Sequence, residues 1–228
     1  MGIDHTEIPA PPDISADGRR NSGTGPPTVT LTETERSVDL TRSGGRQGVM
    51  RVNLNWTDPA RGRSGFLAKL LGTRRAIDLD LGCLYELADG STGVIQALGR
   101  SYGDLLEPPF IALDSDDRTG AATSGENLRV QLGDPAVFRR ILIFAMIYDG
   151  AANWAAVDGV VTMFPTSGPQ IEVRLDSPVD GARICAVALL TNTGDGLTVR
   201  REVEYVSGTQ ADLDRAYQWG MHWAVGRK

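Results

Sequence analysis

The stretch Ala112–Asn127 (ALDSDDRTGAATSGEN) sets Asp114, Asp116, Asp117 and Glu126 around a turn-prone segment carrying Thr119, Gly120 and Gly125. Calcium takes about six to eight hard oxygens, from carboxylates, carbonyls and water, in a pliable loop. Carboxylates packed this closely repel one another unless a cation or solvent screens them. The spacing is not that of an EF-hand. With Asp114 first, Arg118 stands fifth, Thr119 takes the sixth place where glycine is required, and Gly125 takes the twelfth in place of glutamate. The composition leaves two readings open: a cation-binding loop or a solvated acidic loop. Two further segments bear on the choice. Asp78 and Asp80 lie on one face of the strand-like run Ile77–Leu87 (IDLDLGCLYEL), with Ile77, Leu79 and Leu81 behind them. Asp149 directly follows the apolar run Ile141–Tyr148. Three segments can thus bring oxygen donors to one end of a β domain.

Other reactive residue types offer less. Cys83 and Cys185 each sit inside an apolar strand pattern, the usual place of a buried free thiol, and neither neighbourhood supplies a base to lower its pKa. Two cysteines make no disulfide framework. His5 and His222 stand alone, which argues against a zinc site. Trp219 and Trp223, four residues apart on an expected terminal helix, are read as packing against a sheet. No Gly-x-Ser-x-Gly elbow or phosphate loop supports a hydrolase.

The elements that must position the acids are mostly strands. Thr28–Leu31, Ser37–Thr41, Val49–Trp56 and Ile77–Leu87 alternate apolar and polar residues with the strand period. Val94–Leu98, Asn127–Leu132, Arg140–Tyr148, Gly159–Phe164, Ile171–Leu175, Ile184–Leu190 and Leu197–Val206 are further strand candidates. Turn-rich separators such as ADGSTG (Ala88–Gly93) and NTGDG (Asn192–Gly196) divide them. Only the end reads as helical, with Thr209 capping Ala211–Val225. The expected fold is all-β in the main: a β-sandwich of two antiparallel or mixed sheets with a C-terminal α-helix.

Three stretches in order resemble the TerD family of tellurium-resistance and stress-response proteins. SVDLTRSGGRQGVMRVNLNWTD (Ser37–Asp58) is similar to the family's N-terminal strand pair, and IDLDLGCLYELADG (Ile77–Gly90) to its Asp-x-Asp strand. DDRTG (Asp116–Gly120) followed by Glu126 is similar to its calcium loop. The resemblance covers roughly residues 28–228. It implies a calcium-binding β-sandwich without catalytic activity, serving in tellurite or other chemical stress, with related tellurium-resistance proteins as partners. It carries a ligand role to Asp78, Asp80, Asp116, Asp117, Glu126 and Asp149; Asp114 is added from its position alone. The family's loop continues with an alternating glycine and acidic run. Here Ala121, Ala122 and Thr123 replace the acids, so weaker calcium binding is expected.

The 228 residues carry 29 acidic and 23 basic side chains, a net charge of -6 that argues against nucleic acid as a bulk partner. Residues 1–27 hold five prolines and no Phe, Trp or Tyr, and are expected to form a disordered tail. Met1–Ala10 lacks the basic and apolar regions of a signal peptide, which makes the cytoplasm the expected location. Against the acidic background, the insert 60–76 carries Arg61, Arg63, Lys69, Arg74 and Arg75 around the apolar residues of FLAKLL. It can dock on anionic lipid or an acidic partner as a peripheral contact. It can equally pack back on the sandwich, which its short apolar part favours. The rival to a calcium protein is accordingly an interaction scaffold acting through this insert and the tail.

Overall fold

A computed structural model describes residues 27–40, 47–57, 77–114, 125–194 and 196–223. The alternation seen in the sequence becomes two stacked sheets. The first, sheet A, contains β1 (Thr28–Thr30), β3 (Val49–Asn55), β6 (Gly103–Asp104), β7 (Ile111–Leu113), β8 (Glu126–Gln131), β10 (Gly159–Phe164) and β11 (Gln170–Leu175), in the order β1-β11-β10-β3-β8-β7-β6. The second, sheet B, contains β2 (Ser37–Asp39), β4 (Asp78–Leu87), β5 (Thr92–Ile95), β9 (Phe138–Asp149), β12 (Ile184–Asn192) and β13 (Leu197–Val206), in the order β2-β13-β12-β9-β4-β5. Among the described residues, β1 pairs parallel with β11 and every other pairing is antiparallel, so sheet A is mixed and the expected sandwich is present.

Burial follows the side-chain period of two. On β3, Met50, Val52 and Leu54 are sealed between the sheets while Arg51 and Asn55 are exposed. Each large apolar side chain so buried contributes about 1.5–3 kcal/mol. β4 and β9 are buried on both faces along most of their length, because a second core lies on the outer side of sheet B. There Leu84, Leu142, Phe144, Ile184 and Ala186 pack under Leu213 and Trp219.

Leu213 belongs to α1 (Gln210–Tyr217), which ends eight residues short of the expected Val225. Gln218 adopts φ 55°, and the buried Asp214 carboxylate accepts from Gly220 N, Met221 N and Trp223 Nε1 at 2.7, 2.9 and 2.6 Å. These bonds draw the chain off the helical path. Arg140 of β9 donates to the Tyr217 and Gln218 carbonyls at the helix end and lies 3.7 Å over the Trp219 ring. Both tryptophans therefore follow the helix instead of riding on it, although Trp219 does pack on the sheet as expected.

Strand bounds differ in detail. β5 starts at Thr92 and stops at Ile95, and Leu98–Arg100 is a helical turn. β6 and β7 have no counterpart among the expected strands. The described part of the presumed tail is Pro27, whose carbonyl accepts from Gln170 N at 2.9 Å. Residues 1–26 and the insert 60–76, with Arg61, Arg63, Lys69, Arg74 and Arg75, lie outside the described residues.

Candidate functional site

The β4–β9 register places Asp78 directly opposite Asp149. The register steps by one between Asp78 and Leu79, and this step brings Asp149 level with Asp78. Asp149 Oδ1 also accepts from Gly150 N at 2.9 Å, fixing the chain where it leaves the strand. Asp80, two residues along, lies opposite Met146 and is only 2% exposed. A carboxylate at that depth is tolerated where it is hydrogen-bonded, paired or bound to a cation.

Glu126 reaches the same part of the molecule from the other sheet. It opens β8 opposite Leu54, so it shares the inward face with Leu128 and Val130. Its carboxylate crosses to sheet B, where Oε2 accepts from Leu81 N at 2.6 Å, one residue from Asp80. β5 pairs only with Cys83–Glu86, so Leu81 lies beyond its reach and Glu126 takes the place of a strand partner there. Gly125 makes this entry possible. Its φ is +68°, and a β-carbon would fall 2.1 Å from the Leu54 carbonyl oxygen, so other residues are excluded.

Asp114 is placed otherwise. Its Oδ1 lies 2.5 Å from Arg129 Nη2 on the outer face of sheet A, and its backbone N donates to Asn127 O. Asp116 and Asp117 lie outside the described residues, within 115–124. Among the described residues, no three His, Cys, Asp or Glu side chains are grouped to hold a metal ion. What the fold brings together is the Asp78–Asp149 pair, Asp80 beside it, and the root of segment 115–124, tied to Leu81 through Glu126. All of these donors are hard oxygens, the chemistry calcium selects. The described donors suit one wall of such a site and do not complete it.

The thiols are closed to chemistry. Cys83 and Cys185 are fully buried, and burial pushes both well above the ordinary thiol range. Sequence reasoning missed the outer face of sheet A, where Arg51, Asn53, Asn127 and Arg129 line up across β3 and β8. The alternating polar positions of Val49–Trp56 and Asn127–Leu132 were the available signal, but the register that pairs them was not.

Among the described residues, no helix is long and apolar enough to cross a membrane. No family model matches the sequence. The chain is 39% identical over 200 residues to a protein named tellurium resistance protein TerA from Alcaligenes sp, an alignment covering 88% of this chain and 58% of that protein. Over this stretch the two are homologous, and the chain spans less than two thirds of that protein's length.

Proposed function

We propose that this chain, a relative of a tellurium resistance protein, is a non-catalytic calcium-binding protein of a tellurite or chemical-stress response. The observation that carries the calcium reading is the Asp78–Asp149 pair with Glu126 docked one residue from Asp80. Asp78, Asp80 and Asp149 would hold the ion together with Asp116 and Asp117, and bound calcium would neutralise their charge and tie segment 115–124 to β4. The tellurite setting rests on the homologue's name. A non-catalytic role is supported by the two thiols, which are sealed in the core and too weakly acidic to supply a thiolate for reducing an oxyanion.

Calorimetric titration of the metal-free protein with calcium tests the reading. Saturable heat is expected, with a dissociation constant on the order of micromolar. It should be lost in Asp78→Asn and Asp149→Asn. At calcium a hundred times that constant, linkage adds about 2.7 kcal/mol to unfolding stability. No heat and no thermal shift would sink the proposal. That result would favour the scaffold reading, for which the lack of a three-donor group among the described residues speaks.

A further inference from the structure

We propose that the outer face of sheet A carries a binding site for a small dianionic oxyanion, of the sulfate or hydrogen-phosphate type, formed by Arg51 and Arg129. The proposal does not rest on the calcium reading. The β3–β8 register sets Arg51 directly opposite Arg129, and both are exposed. Like charges directly opposite on one face destabilise a sheet. Here they are nonetheless held in place. Arg51 lies 3.8 Å over the Phe164 ring and donates from Nη1 to Asn127 Oδ1 at 3.1 Å. Asn127 Oδ1 also accepts from Asn53 Nδ2 at 3.0 Å. Arg129 is fixed on its other side by Asp114, at 2.5 Å.

The charges do not balance. Among the described residues, two guanidinium groups meet one carboxylate, a local positive excess in a protein of net charge -6. Among the described residues, no carboxylate pairs with Arg51. A guanidinium presents five N–H donors in a planar fork that matches the oxygens of an oxyanion. An anion between the two forks would relieve their repulsion and use donors that Asn127 and Asp114 do not take up. Asp114 is then a competitor, because it occupies Arg129 when no anion is bound.

The test is a titration of the calcium-free 228-residue chain with sodium sulfate, at ionic strength held constant with sodium chloride. It is followed through the arginine Nε–H and asparagine amide signals in 15N–1H NMR spectra. Saturable shifts are expected, confined to Arg51, Arg129, Asn53 and Asn127. Arg51→Gln should weaken binding about fivefold or more, and Asp114→Asn should tighten it by about threefold. Shifts that do not saturate, that spread evenly over all arginines, or that are indifferent to Arg51→Gln would overturn the proposal. Weaker binding in Asp114→Asn would overturn it too. A response to polyglutamate without one to sulfate would reassign the face to an acidic partner and equally overturn it. Because the wild-type titration decides by itself, a variant that fails to fold leaves the test intact.

Discussion

Glu126 occupies an inward-facing position between the sheets, where β8 otherwise places Leu128 and Val130. A carboxylate there is stabilised by what it does, which is to accept the Leu81 N–H at 2.6 Å beyond the reach of β5. Glu126→Ala leaves that donor without its partner in a half-buried setting, at a cost of about 1–3 kcal/mol. Glu126→Gln keeps an acceptor oxygen and should lose less. The expected outcome is a urea midpoint ordered wild type above Gln above Ala in calcium-free buffer. An unchanged midpoint in Glu126→Ala would refute the clamp. The calcium-free condition matters, since it separates the bond to Leu81 from any service as a metal ligand.

At the scale of elements, the segment after α1 depends on one side chain. Asp214 is 3% exposed and accepts from three donors, so Asp214→Ala should destabilise by at least about 3 kcal/mol. It should also release Trp219 and Trp223, read as a red shift in tryptophan fluorescence with the β signal in far-UV circular dichroism kept. The same residue shows why the helix end was not legible in the sequence. Leu213, Tyr217, Gly220 and Ala224 keep helical spacing to the chain's end, but a tertiary bond set overrides it at Gln218. Where the pattern alone decides, as on β3 and β10, the expected strands are present almost residue for residue. β6 and β7 hold only two and three residues, exist by backbone bonding to each other and to β8, and flank a Pro108–Pro109 turn, so no periodicity could announce them. The carboxylates divide the same way. Asp78 and Asp80 were legible as a pair on one strand face, and Asp149 as a strand end. Glu126 read as part of a loop because its place depends on a register, and Asp114 read as a donor because its partner Arg129 lies on another strand.

For the molecule as a whole, five groups that ionise only at alkaline pH are buried or half-buried. Burial pushes the thiols of Cys83 and Cys185 far up, and it raises the phenols of Tyr85, Tyr205 and Tyr217 as well. Tyr205 is pushed up to about 12, chiefly by burial, with the neighbouring Cys185 adding to it. Tyr217 is raised further by the carboxylates of Glu202 and Glu204, both within hydrogen-bond reach of its hydroxyl. In the unfolded chain thiols ionise near 9.0 and phenols near 10.0, whereas in the fold they keep their protons. Between those values and the raised ones the native state binds more protons than the unfolded state, so stability falls as pH rises. Each buried thiol steepens the loss by up to about 1.4 kcal/mol per pH unit. The thermal midpoint should therefore be level up to about pH 8.5 and decline progressively above it. Cys83→Ala with Cys185→Ala will lower the starting midpoint through the cavities it leaves, yet it should flatten the slope above pH 9.0. A midpoint that holds steady from pH 8 to pH 11, or a slope indifferent to the cysteines, would mean that the thiols ionise as readily inside the sandwich as outside it. That result would also reopen thiol chemistry as a route to this protein's function.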